Sequence, residues 1–278
     1  MEPEWTLRVT ARWLRPLYAT IGGLSLVCAC APDTAPPGAP ARAEQVFSAH
    51  SFTVETEAGI DNVVLAGVTG PDRDRNGAAV SAGRIAVMER LERAGAAVRL
   101  SPGAEPERDR FDRRVVRAAT PEGDLAHTLV REGHLIVWPR DGDLVDHAIL
   151  FAAEAEARAA RAGGWTTGVF AVHGPDPNAL AQHLDSAVIV EGLVADTGEA
   201  RDGRAFVNFG LDWRSDFTAT ADRRSRAVFE EAGIDLMSLE GARIRVRGWL
   251  YETNGPAISL THPAQVELVD APEPRRLR

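Results

Sequence analysis

Chemistry in this 278-residue chain has to be built from carboxylates, arginines and histidines. It contains no lysine, so every fixed positive side chain is an arginine. The two cysteines, Cys28 and Cys30, lie close together near the N-terminus. Beyond them no thiol nucleophile, cysteine metal site or disulfide is available. The densest charge pattern is Asp72-Arg73-Asp74-Arg75, directly after the breakers Gly70-Pro71. With Asp61, these carboxylates would offer oxygens to a hard cation, and Arg73 and Arg75 would offer donors to a phosphate. The same alternation is also that of a solvated loop. The histidines are dispersed: His127 and His134 are separated by a helix stop at Gly133, and His147, His173, His183 and His262 have no partner at metal-ligand spacing. Further on, Arg243, Arg245 and Arg247 alternate and would share one strand face. Trp213-Arg214 lies in the segment Asn208 to Phe217, which offers stacking surface and charge to a polymer.

The elements that must position these residues start after a targeting segment. Arg8, Arg12 and Arg15 precede an apolar stretch from Leu17 to Val27, short for a bilayer span of ~20 residues. It ends in Val27-Cys28-Ala29-Cys30, which resembles a bacterial lipobox with Cys30 as the acylated residue. The alternative is ordinary cleavage near Ala29 or Ala31. Residues 1–30 are thus expected to be a signal peptide and 31–44 a Pro/Ala-rich tether. The formal net charge of -9 disfavours sequence-independent nucleic-acid binding, which depends on neutralising phosphates.

From residue 45 to 167 the apolar period changes in a definite order. Strands are expected at Phe47 to Val54, Asn62 to Val68, Ala97 to Leu100 and Arg114 to Ala118. A helix is expected over Ala79 to Ala94, with Ile85, Val87, Met88 and Leu91 inward and Glu89 paired to Arg93. Further helices run from Asp124 to Glu132 and Asp143 to Ala162. Short strands interleaved with three helices suit a small closed oligonucleotide/oligosaccharide-binding (OB) barrel. A linker, 168–184, leads to a second unit, 185–270, with strands at Ser186 to Ala195, Ala205 to Phe209, Phe217 to Thr220, Ala242 to Tyr251 and Ala257 to Leu260. A helix from Arg223 to Glu231 interrupts them, which suits a second small barrel, and 271–278 is a tail.

Several motifs carry a family resemblance. Val64-Leu65-Ala66-Gly67-Val68-Thr69-Gly70-Pro71-Asp72 is similar to the V-R-L-x-G-I-D-A-P-E segment of staphylococcal nuclease domains. Asp109-Arg110-Phe111-Asp112-Arg113 resembles their D-R-Y-G-R, and Leu129 to His134 their L-V-R-x-G-x-A. The stretch from Ala153 to Trp165 resembles the family's closing helix. The resemblance covers about residues 47–166 and implies a calcium-dependent phosphodiesterase, in which two aspartates hold the ion, a glutamate activates water and two arginines grip the phosphate. Carried across, the first aspartate falls near His50, the second on Thr69, the first arginine on Val64 and the glutamate on Asp72; the second arginine is Arg113.

The fold class expected is mainly β with α: a staphylococcal nuclease-type OB barrel with three helices, then a second small OB-like β-barrel. Arg113 and Asp72 are the candidate catalytic residues, and Asp72 and Thr69 the candidate metal ligands, of a site that has lost most of the family's chemistry. Trp213, Arg214, Arg243, Arg245 and Arg247 are the candidate ligand face of the second unit. The function expected is an exported, periplasmic envelope lipoprotein, tethered to a membrane through Cys30, acting as a binding or scaffold module for an envelope protein or polymer. No cofactor is expected, with Ca2+ needed only if nuclease activity is retained. The alternatives are a thermonuclease-type endonuclease with a rearranged site and a single-stranded nucleic-acid binder.

Overall fold

A computed structural model describes residues 38–270. Cys30, the signal segment and the tail beyond 270 lie outside the described residues. The first lobe begins with β1 (Ala39–Ser48), β2 (Ser51–Thr56) and β3 (Gly59–Leu65), a meander of antiparallel neighbours. Gly67, at φ +70, turns the chain into β4 (Val68–Thr69) and then α1 (Gly77–Arg93). β5 (Ala97–Pro102), β6 (Arg114–Thr120) and β7 (Gly123–Asp124) follow. Asp124 then caps α2 (Leu125–Arg131) by accepting from the His127 amide. β8 (Ile136–Val137) pairs with β4, and Asp146 caps α3 (His147–Ala159). β1 pairs with both β2 and β5, and β3 runs parallel to β6, so β1-β2-β3-β6-β5 close a five-stranded barrel of the OB-like kind. Phe52, Val63, Leu65, Leu100 and Val116 fill its interior.

The chain continues through α4 (Gly164–Thr167), β9 (Val172–His173) and α5 (Pro177–Leu180) into β10 (Ser186–Leu193) and β11 (Asp196–Glu199). β12 (Ala205–Asn208), β13 (Thr218–Ala221), α6 (Arg223–Glu231), β14 (Arg243–Glu252), β15 (Pro256–Ser259) and β16 (Val266–Asp270) complete it. The second sheet runs β11-β12-β13-β15-β14-β10-β9, with β16 also on β14. Its apolar face and α6 enclose Phe217, Phe229, Ile244 and Leu250.

Several expectations change. The proposed tether is strand from Ala39 onward, because β1 finds hydrogen-bonding partners in β5 from Ala97 to Leu100. The proposed linker is packed: Phe170 and Leu180 are buried, and β9 adds to β10 in parallel. The inward side of α1 is Gly83, Ala86, Val87, Arg90 and Leu91, while Ile85 and Met88 are exposed. Arg93 bonds Glu122 instead of Glu89.

The two lobes share a buried seam. Arg247 on β14 is fully buried and donates to the Glu154 carboxylate on α3 at 2.9 and 3.1 Å, to Glu267 on β16, and to the Val137 carbonyl at 2.9 Å. Its guanidinium also stands 4.5 Å from the Phe151 ring centroid. Arg247 therefore does not belong to a ligand face. Arg245 is occupied by Glu191 and Glu267, and Arg243 lies near Glu191 and Asp270. The arginine stripe of β14 meets carboxylates that a single strand's sequence cannot reveal.

Candidate functional site

Two adjoining clefts open where the first barrel meets the second lobe, and Thr69 and Trp249 line both. One, of about 580 Å3, holds Asp109, Arg110, Arg113, Trp138 and Arg140. The other, of about 670 Å3, holds His50, Asp72, Arg75, His173 and His183. Thr69 reaches this junction because β4 leaves the Gly67 turn and pairs with β8.

Arg113 is set by a short turn. Asp109 accepts from the backbone N–H groups of Phe111 and Arg113, at 2.9 and 3.0 Å, and from the Arg113 side chain at 2.9 and 2.6 Å. Burial opposes ionisation of Asp109, but those four bonds hold its carboxyl below the ordinary range. The guanidinium of Arg113 is thereby oriented while keeping some exposure toward the cleft.

Arg140 was not singled out from the sequence, and its surroundings are the more informative. Its guanidinium makes no ion pair among the described residues and bonds the Val68 carbonyl at 3.5 Å, while its backbone N–H donates to Asp143 Oδ2 at 2.9 Å. Burial, followed by the charges of Arg113 and Arg110, lowers its pKa against the pull of Asp143 and Asp109. His50, which bonds Ser48 Oγ at 3.3 Å, responds to the same field. Burial and the charges of Arg140 and Arg113 drive its pKa down to about 4. Burial is the larger cause for His50; in the arginine cleft Arg110, Arg113 and Arg140 stand against Asp109 and Asp141. Trp138, Trp249 and Phe111 add flat apolar surface beside those cations.

The cation site implied by the nuclease resemblance does not fit this donor set. Calcium needs six or more oxygens, several of them carboxylate. The relevant positions present an imidazole at His50 and a hydroxyl at Thr69. Asp72 Oδ1 is taken up by the backbone N–H groups of Asp74 and Arg75, at 2.8 and 3.3 Å. Among the described residues no group of three or more His, Cys, Asp or Glu could hold a metal ion. Asp61, another carboxylate considered from the sequence, is bonded by Arg108 at 3.2 and 3.1 Å. Asp72 Oδ1 is thus bonded within its own turn and Thr69 is neutral, so these two positions do not present the paired carboxylates that a calcium site uses.

In the second lobe Trp213 and Arg214 are exposed, with the Arg214 guanidinium 4.4 Å from the indole centroid. Phe209 and Phe217 belong instead to the core. No protein-family model matches the chain, and no curated protein matches it.

Proposed function

We propose that the chain is an exported envelope-binding module built on a staphylococcal nuclease-like barrel, whose cleft holds an anionic group of an envelope polymer or protein without cleaving it. The observation that carries this reading is Arg140, a cleft-lining arginine whose guanidinium makes no ion pair among the described residues, beside Arg113 and the neutral His50. An unpaired, half-buried cation gains most from a ligand anion, because charge-assisted bonds there escape much of the screening that weakens surface pairs.

The family reading draws on element order. Leaving aside the two-residue strands β4, β7 and β8, the order is three barrel strands, a helix, two barrel strands and two helices, as expected of that barrel, and Arg113 immediately precedes β6. For the second lobe, β10 and β11 are consecutive and separated by Val194 and Ala195 only. Read as one bent strand, they would close the path β11-β12-β13-β15-β14-β10 into another five-stranded barrel. Hydrolysis is disfavoured because the family's two aspartates fall on His50 and Thr69 and its glutamate is shortened to Asp72, and a histidine held neutral down to about pH 4 is a weak base.

The test incubates the full chain with single-stranded DNA in calcium or chelator, with Arg113→Ala alongside, and measures binding of inorganic pyrophosphate by wild type and Arg140→Ala. We expect no calcium-dependent cleavage above the variant's background. Pyrophosphate affinity should fall by about tenfold or more in Arg140→Ala, the scale of one charge-assisted bond. Calcium-dependent cleavage that disappears in Arg113→Ala would refute the reading.

A further inference from the structure

A separate concavity, sharing no lining residue with those two clefts, lies on the outer face of the β11-β12-β13-β15 sheet and has a volume of about 630 Å3. Strand register builds it. Phe206 lies opposite Gly198 and Thr220, Asn208 opposite Asp196 and Thr218, and Thr218 opposite Ala257. Side chains alternate along each strand, so these residues share the outer face while Ala205, Val207, Ala219 and Ala221 fill the core behind them. The centre of the trough is floored by glycine, threonine and alanine. Its walls are Phe206, Tyr251 and the loop residues Leu211 and Trp213. Leu211 is 87% exposed and Trp213 55%, unusual for such large apolar side chains grouped round one hollow.

The polar groups in the trough are mostly neutral. Asn208 accepts from Thr218 Oγ1 at 3.2 Å through its amide oxygen, and its amide nitrogen has no hydrogen-bond acceptor among the described residues. Thr220, Thr253 and Asn254 add hydroxyl and amide groups along the same hollow. Its charged lining residues are Asp196, Glu199 and Arg204. Glu199 pairs with Arg226, and Arg204 lies 3.7 Å from Asp202. Beside the trough, Asp212 and Asp216 stand against Arg214, whose guanidinium lies over one side of the Trp213 ring. The trough thus offers no net positive charge to a phosphate backbone.

We infer that this trough binds an uncharged oligosaccharide, whose ring C–H faces rest on Trp213, Phe206 and Tyr251 while its hydroxyls bond Asn208 and the threonines. The chemistry is complementary on both counts. Sugar rings present flat C–H surfaces suited to the negative faces of aromatic rings, and a dense rim of neutral donors and acceptors suited to amides and hydroxyls. The volume and open ends favour a short run of rings over one monosaccharide.

The experiment titrates the full chain with cellohexaose, maltohexaose and chitohexaose, and separately with oligothymidylate, following wild type and Trp213→Ala by calorimetry, with the chemical shifts of the backbone amides as the second readout. Trp213 is an exposed loop residue, and an unchanged urea midpoint will show that the variant is folded. We expect at least one uncharged hexaose to give a saturable shift that is insensitive to salt and weakened about tenfold or more in Trp213→Ala. Asn208→Asp, which removes the free amide donors, should weaken the same titration. Absence of saturation with every hexaose, saccharide binding that survives Trp213→Ala, or a salt-suppressed response confined to oligothymidylate would each overturn the inference. Failure here leaves the arginine-cleft reading intact, since that test uses different residues and a charged probe.

Discussion

Replacing Arg247 with methionine is the sharpest test of how the two lobes are joined. The side chain is fully buried, and its removal strands Glu154, whose side chain is only 1% exposed. Glu154 would retain the Val137 N–H at 2.7 Å and Arg158 at 4.0 Å, too little to compensate a buried carboxylate. Breaking one partner of a buried pair costs about 3–5 kcal/mol, and methionine fills most of the space, so little cavity cost adds to it. For a body of this size, each kcal/mol lowers Tm by ~2–4 °C, which gives a fall of roughly 6–20 °C. Urea unfolding of the full chain, followed by tryptophan fluorescence, measures the change. The double variant Arg247→Met/Glu154→Gln should recover about half of the loss or more, since glutamine still accepts from the Val137 N–H while carrying no charge. A single-variant cost below about 1 kcal/mol, or a double variant no better than the single, would show that the seam is solvated and the charge argument wrong.

Two further outcomes are expected. His50 has a folded pKa of about 4 against 6.5 for the free side chain, so the unfolded chain takes up its proton first as pH falls. The associated stability is fully present above about pH 6.5 and is lost as pH drops toward 4; its size is about 2 kcal/mol for this half-buried ring. Urea midpoints of wild type and His50→Asn at several pH values isolate it, and parallel curves would refute it. Gly142→Ala should destabilise by about 2 kcal/mol or more in thermal melts, because Gly142 sits at φ +80 and an added Cβ would meet the Glu105 carbonyl oxygen at 1.9 Å. Since Gly142 closes the turn after Arg140, the same variant should weaken pyrophosphate binding.

Much of the chain could be read from local chemistry. The helix expected over Arg223 to Glu231 is found with those bounds, since Asp222 caps it by accepting from the Ser225 N–H and Gly233 follows its end. The barrel strands β3, β5 and β6 show in their apolar periods, because each is half buried and the side-chain period of two is fixed by the backbone, whereas the single strand expected over Phe47 to Val54 is broken by a turn at Ala49-His50 that joins β1 to β2. Where a segment depends on a distant partner, its own composition misleads. Ala39-Pro40-Ala41 has the composition of a tether, yet it pairs with Arg99, Leu100 and Val98 of β5 and becomes strand.

Arg113 illustrates the same division at the cleft. The motif Asp109 to Arg113 marked it in the sequence, because the bonds that orient it lie within five residues. Arg140 carried no such signal: among the described residues its guanidinium makes no ion pair although Asp109 and Asp141 line the same cleft, which is assembled from β4, β10, β14 and the loops before β6 and after β8. Likewise, alternation in β14 placed Arg243, Arg245 and Arg247 on one side, and that side is common to them in the structure. Whether it met water or protein depended on α3, whose Glu154 lies 93 residues earlier. The sequence by itself determined periodicity, caps, turns and the missing carboxylates, because these act within a few residues through backbone geometry and side-chain type. Only the tertiary structure decided which charges are paired, because burial and Coulomb partners depend on what packs against a face, and no local pattern encodes that.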